Sequence, residues 1–341
     1  MEEKHSFRLF LIEASAGFLA FLIILAAVER SGAFDFHFRE HTGKHRWIEF
    51  YETALDDEID VLIVGNSQSL TAVDCELLST RLNKNFFAIG HDGATISSLY
   101  WSVRHALNYT SPSAICLETK CFGFAAGLYQ FKLAIESRKD LGFRKADLSV
   151  LEATEELHGI SSIPFTLFGS SLSFPEILEM DPIRTIKSME KWSKPIQSKK
   201  TKLGFYNHYT ESIGDELMAR YESGETGRDY KDALPLEQDI EYMERLILLC
   251  ERKGISLLFF ETPYFQADQK SLKNRQSKLR SFFDSKEQDW TTFWQNQNLI
   301  SNPDFYQNSL YNQHLTGKGA HAFTLQFAKL LTDRQFFSDD Q

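Results

Sequence analysis

Cysteine is scarce. The chain has Cys75, Cys116, Cys121 and Cys250 and no CxxC spacing, which excludes a disulfide framework and argues against a structural zinc site. Cys116 lies in an apolar run and reads as a small buried hydrophobe. Dense basic patches are missing too. Lys and Arg total 37 against 47 Asp and Glu, a net charge of -10. The short pairs Lys199-Lys200 and Arg252-Lys253 read as solvated surface, so no face is ready to neutralise phosphates and nucleic acid is not an expected partner. Neither GxGxxG nor GxxxxGK[ST] occurs, which places a nucleotide-binding reading last. His5, His37, His41, His45 and His158 have no metal-ligand spacing, so neither metal nor cofactor is expected. Repeats and low-complexity tracts are also absent. With 43% hydrophobic and 25% charged residues, the composition is that of a globular chain and excludes long-range disorder, collagen-like repeats and a coiled-coil rod. The 341 residues suit two domains of about 150 residues or one large α/β domain.

One long apolar run is present. Leu9–Val28 reads LFLIEASAGFLAFLIILAAV, about 30 Å as a helix and so about the thickness of a bilayer core. Its single charge, Glu13, lies near the start. We expect a single-pass membrane anchor. A cleaved signal peptide ending near Leu25-Ala26-Ala27 and a buried helix are the competing readings. Lys4 and Arg8 precede the run, and Arg30, Arg39, Lys44 and Arg46 follow it, a balance that leans towards a cytoplasmic C-terminal side. The expected layout is a tail at 1–8, the anchor at 9–28, a connector at 29–56 with the aromatic piece Trp47–Tyr51, and an α/β domain over 57–335.

Within that domain, short apolar runs alternate with helical stretches. Ile59–Val64, Asn85–Ile89, Ser113–Leu117 and Ile255–Glu261 read as buried strands. Ala72–Leu82, Ser97–Leu107, Leu236–Arg252, Gln266–Phe283 and Gly317–Leu331 read as helices. This alternation predicts a parallel sheet flanked by helices. The interval 125–232 breaks the rhythm and is expected to be an α-rich insertion, with Glu176–Trp192 helical up to an interruption at Pro182 and a polar loop at Glu222–Asp232.

Two segments carry chemistry. In Val61–Leu70 (VLIVGNSQSL) a strand ends at Gly65-Asn66-Ser67. Side chains beyond the carboxyl ends of parallel strands face the crevice where α/β folds bind ligands. Ser67 is placed there, with backbone N–H groups and a helix N-terminus expected nearby. Alternatively, Ser67 or Ser69 simply caps the helix. Near the end, His314 precedes the last helix and is placed to act as a general base. A serine activated by a histidine is the minimum for acyl transfer. His91-Asp92, between Gly90 and Gly93, reads as a glycine-rich turn with surface polar residues or as a second polar cluster in the crevice.

Strand–Gly65-Asn66-Ser67 near the start and Asn312-Gln313-His314-Leu315-Thr316 followed by Gly319-Ala320 near the end resemble the SGNH (GDSL-type) hydrolase superfamily. In that family a GDS-type block carries the nucleophile and a late DxxH block carries the acid and base. Lys253–Pro263 looks like the family's late strand, and Phe86–Ser98 like its second block, whose Gly supplies an oxyanion N–H. The resemblance spans about 58–125 and 235–335. It implies a flavodoxin-like three-layer sheet, with Ser67 as nucleophile, His314 as base, Gly90 as oxyanion donor, and Asn66, Gly93, Asn312 and Asp304 in support.

With the anchor, the chain looks most like extracytoplasmic SGNH proteins that partner membrane-bound O-acyltransferases. That implies a membrane-anchored serine acyl-ester hydrolase or O-acyltransferase acting on an acylated cell-envelope polysaccharide, with its globular domain outside the cytoplasm, against the lean of the flanking charges. The alternative is a non-catalytic SGNH-fold accessory or binding subunit of an acyltransferase system. This sequence departs from the family pattern in three places. Asn66 stands for Asp. Tyr311 stands three residues before His314, where the acid belongs, with Asn312 one place nearer. Cys116-Leu117-Glu118-Thr119 occupies the strand end where the family has an oxyanion Asn. A backbone carbonyl or a distant acid such as Asp304 is then left to orient His314.

Overall fold

A computed structural model describes residues 13–21, 23–24, 42–56, 59–122, 152–153, 155–156, 202–207, 209–225, 237–266, 273–310 and 314–337. By internal contacts the chain groups into two units, one of residues 1–44 and 142–198 and the other of 45–141 and 199–341. In the first unit, 13–21 and 23–24 are helical, and Phe18, Leu19, Phe21, Ile23 and Ile24 are largely exposed. No helix among the described residues is long and apolar enough to cross a membrane. The rest of the expected anchor, the expected tail, and Glu176–Trp192 lie outside the described residues.

The second unit is an α/β fold. Its elements are α1 (Thr42–Asp56, which begins before the unit boundary), β1 (Val61–Gly65), α2 (Ser67–Leu70), α3 (Cys75–Leu82), β2 (Phe86–Gly90), α4 (Ile96–Ala106), β3 (Ala114–Glu118), α5 (Asp215–Glu222), α6 (Glu237–Lys253), β4 (Ser256–Glu261), α7 (Lys273–Ser285), β5 (Trp290–Thr292), α8 (Gln297–Ile300) and α9 (Gly317–Asp333). All strand pairs are parallel, in the order β2-β1-β3-β4-β5. This is the flavodoxin-like order, in which chain direction across the sheet reverses beside β1 and opens a crevice at the carboxyl ends.

The strands are apolar on both faces because helices cover both. Val61, Ile63, Ala88, Cys116, Leu258 and Phe260 point into one core with Leu78 of α3, Leu217 of α5, and Phe323 and Phe327 of α9. On the other face, Phe87 meets Phe50 of α1 edge-on at 5.5 Å, and Phe259 meets Phe283 of α7 at 4.8 Å. Each fully buried side chain of this kind is worth about 1.5–3 kcal/mol. All four cysteines are buried and none forms a disulfide, and burial pushes the thiols of Cys75, Cys116 and Cys250 up.

Three expectations change in detail. The helix expected over Ala72–Leu82 begins later, at Cys75 (α3), where Asp74 caps it by accepting from Leu77 N, and the separate single turn α2 precedes it. A fifth strand, β5, joins the sheet edge; its three residues are too short to show a period. The interval expected as an insertion contains a turn over 202–205 that meets the sheet edge, since Ala88 N donates to Leu203 O.

Candidate active site

The turn after β1 is built by Asn66. Its side chain accepts from Gln68 N at 2.9 Å and caps α2. Neither Ser67 nor Ser69 is the cap, then, and the Ser67 hydroxyl is left to other partners. Ser69 is buried and its hydroxyl donates back to Asn66 O. The helix start expected beside Ser67 is therefore α2, a single turn, too short to add a sizeable macrodipole. Ser67 itself is half-buried, just beyond the carboxyl end of β1.

His314 lies two residues before Thr316, the cap of α9, whose side chain accepts from Gly319 N. The segment is held by an antiparallel bridge between Tyr306 and Leu315, with Gln307 N donating to His314 O at 2.8 Å. This places His314 Nε2 2.9 Å from Ser67 Oγ. Gln307 Oε1 faces His314 Nδ1 at 3.2 Å. An amide oxygen only accepts, so Nδ1 carries the proton and Nε2 presents its lone pair to the Ser67 hydroxyl. The Tyr209 ring stacks on the imidazole at 4.6 Å between centroids, and His314 is only 1% exposed. Burial, aided by the charge of Asp92, pushes the Tyr209 phenol up to about 12, so the phenol stays neutral.

Gly90 ends β2 in register with Gly65. Its φ of +134° and a hypothetical Cβ only 1.9 Å from Gly65 O exclude any side chain, so the two strand ends run backbone against backbone beside Ser67. Gly93 lies in the following turn with φ +69°. His91 departs from the expected surface turn. It is buried, with Nε2 3.0 Å from Ser98 Oγ and Nδ1 3.2 Å from Asp92 O, and burial lowers it to about 4. Asp92 is exposed.

Asp304 is not brought to His314. Its carboxylate pairs with Lys318 at 3.3 Å in exposed surroundings, and its carbonyl accepts from Thr316 Oγ1. Asn312 and Tyr311 lie outside the described residues. At the end of β3 the Thr119 hydroxyl donates to Glu261 at 2.9 Å, and Glu118 accepts from Lys120 N and the Thr262 hydroxyl. These groups knit the ends of β3 and β4 together. Among the described residues, no group of three His, Cys, Asp or Glu could hold a metal ion.

Sequence reasoning missed Gln307 and Asn207. Asn207 Nδ2 donates to Thr71 O at 2.6 Å and Leu315 O at 2.9 Å, tying the residue after α2 to the residue after His314. Neither residue falls in a motif, and only the three-dimensional pairing exposes them.

The chain matches no protein-family model and no curated protein. It is similar at 10% identity to a GDSL-like lipase from Bacteroides thetaiotaomicron, covering 85% of this chain and 98% of that one with a TM-score of 0.36. It is similar at 9% identity to a putative acylhydrolase from Bacteroides fragilis, covering 84% and 97% with a TM-score of 0.33.

Proposed function

We propose that the chain is a serine-dependent acyl-ester hydrolase or acyltransferase. The observation that carries this is the 2.9 Å contact between Ser67 Oγ and His314 Nε2, made at the carboxyl end of a central parallel strand by residues from opposite ends of the domain. In this reading Ser67 Oγ attacks the acyl carbonyl carbon while its proton passes to His314 Nε2. The tetrahedral intermediate collapses, the acyl C–O bond breaks, and the departing alkoxide takes the proton from His314. Water or a sugar hydroxyl then attacks the acyl-serine in the same way, giving hydrolysis or transfer. Gly90 is our candidate for an oxyanion N–H; its bare backbone beside the Ser67 turn supports that role. Gln307 keeps Nδ1 protonated and so keeps the reactive lone pair on Nε2.

The sequence resemblance supports the finer reading, that the substrate is an acylated cell-envelope polysaccharide and the partner a membrane-bound O-acyltransferase. The exposed apolar side chains between Phe18 and Ile24 support a membrane tether through 9–28, with the α/β domain extracytoplasmic. A second reading, a non-catalytic accessory subunit, is favoured by one observation: among the described residues, the side chain that meets Nδ1 is the neutral amide of Gln307.

A fluorophosphonate probe separates the two readings. The enzyme reading expects labelling of the wild type and none of Ser67→Ala. An unlabelled wild type, or equal labelling of Ser67→Ala, leaves the accessory reading. For the tether, the protein should pellet with membranes and be released by detergent but not by salt, with the domain open to protease on intact cells. Release by salt, or a protected domain, refutes it.

A further inference from the structure

Residues 202–207 and 209 form a strap with one end on α1 and the other on the Ser67–His314 pair. At the first end, Lys202 and Phe205 form a tight bridge through Leu203 and Gly204, both at positive φ. A Cβ on Gly204 would lie 1.9 Å from Ala88 O, so the turn lies flush on edge strand β2. Two α1 side chains one turn apart grip it. Arg46, 2% exposed, donates from Nε to Gly204 O at 2.9 Å and from Nη1 to Gly90 O at 2.8 Å. Glu49 accepts from Leu203 N at 2.6 Å and Gly204 N at 3.1 Å. Hydrogen bonds to charged groups such as these are the stronger kind.

At the other end the strap reaches both halves of the candidate site. Tyr206 N donates to Leu70 O at 3.2 Å. The Asn207 amide spends one proton on Thr71 O and one on Leu315 O, and its Oδ1 accepts from Tyr209 N at 2.9 Å. Tyr209 stacks on His314, and its carbonyl accepts from Gly317 N at 3.2 Å. One amide side chain thus spans from the end of the Ser67 turn to the residue beside His314, and its own oxygen holds the ring that covers the imidazole.

We propose that Asn207 is the positioning residue that sets the separation of Ser67 and His314, and that Arg46 and Glu49 of α1 clamp the strap that carries it. The assignment rests on the Ser67–His314 reading for its catalytic consequence, and on the hydrogen bonds alone for its structural one. The α1 helix, in the stretch read from sequence as a connector, is then part of the machinery that holds the site.

The test uses the full chain with Asn207→Ala and, at the remote end of the strap, Glu49→Gln. With p-nitrophenyl acetate, Asn207→Ala should lose about 10- to 100-fold in kcat, the scale set by small misplacements of reacting groups, with KM unchanged and fluorophosphonate labelling slowed in parallel. Glu49→Gln should show the same signature, smaller. Hydrogen exchange should quicken at the amides of Thr71 and Thr316 in both variants. A folded Asn207→Ala with wild-type kcat and wild-type exchange at both amides overturns the proposal. If the wild type neither hydrolyses nor labels, the esterase reading falls and exchange alone decides: faster exchange at both amides upholds the strap, unchanged exchange overturns it. If Asn207→Ala does not fold, Glu49→Gln decides in its place: a lower kcat with faster exchange at both amides upholds the strap, and wild-type values of both overturn it.

Discussion

Gln307 gives the sharpest test of how His314 works. Its Oε1 lies 3.2 Å from Nδ1, a neutral hydrogen bond in the ground state, worth about 0.5–1.5 kcal/mol net. When Nε2 takes the Ser67 proton, the ring becomes a cation and the same contact becomes charge-assisted, worth about 1.5–3 kcal/mol. Removing the acceptor with Gln307→Leu therefore takes away about 1–1.5 kcal/mol more transition-state than ground-state stabilisation, and kcat should fall about 5- to 10-fold. That is less than the ~10⁴-fold loss when a triad carboxylate is neutralised, because here no carboxylate charge is lost. Gln307→Glu should act in the opposite sense. A carboxylate beside the imidazolium favours the charged ring, so kcat should rise and the acidic limb of the pH–rate profile should move to higher pH. The assay is p-nitrophenyl acetate hydrolysis across the neutral range, with circular dichroism to confirm folding. A folded Gln307→Leu with wild-type kcat and an unmoved pH profile would refute the argument that Gln307 orients the histidine.

Gly90→Ala should destabilise the fold by several kcal/mol or prevent it, as an added Cβ meets Gly65 O at 1.9 Å at a φ of +134°; a urea midpoint close to wild type would contradict this. Burial holds His91 at about 4 against an ordinary 6.5, so the unfolded chain binds this proton first as pH falls. The stability His91 confers is complete above about pH 6.5 and declines as pH falls towards 4, by at most about 3 kcal/mol. Urea unfolding at a series of pH values should show this slope flattened in His91→Gln, and an equal slope in both proteins would rule it out. For the stacked ring, Tyr209→Phe should keep wild-type kcat, whereas Tyr209→Ala should lose several-fold, since an aromatic contact is worth about 0.5–1.5 kcal/mol. Equal rates in all three proteins would remove Tyr209 from the site.

Much of the sheet was legible because both of its faces are buried. Ile59–Val64, Asn85–Ile89, Ser113–Leu117 and Ile255–Glu261 are short, largely apolar runs, and each contains most of an observed strand. Trp290–Thr292 was not legible, as a three-residue edge strand has no room for a pattern. Ser67 and His314 were legible as a strand-end serine and a pre-helix histidine. The strap was not, because its work is done by backbone groups and one amide reaching carbonyls far away in sequence, and no local propensity encodes that. The surface character read for His91 failed for a related reason. Gly90 and Gly93 mark a turn, but burial under Ser98 and α4 is set by tertiary packing.

The acid position shows how one geometric problem admits different solutions. The SGNH pattern that the sequence resembles has its acid three residues before the histidine, where this chain has Tyr311. The bridge between Tyr306 and Leu315 instead brings a second segment alongside, with Gln307 N bonded to His314 O. Residues across an antiparallel pairing have neighbouring side chains, so the side chain at 307 meets the imidazole from across the bridge. Reach then decides which residues can serve. Gln spans 3.2 Å to Nδ1 with two methylenes, and Glu has the same length. Asp is one methylene shorter. Gln307→Asp should therefore behave like Gln307→Leu despite carrying the family's acid, while Gln307→Glu gains. If Gln307→Asp matches Gln307→Glu in kcat and pH profile, the bridge does not hold the two segments as tightly as the geometry requires, and charge rather than reach governs the site.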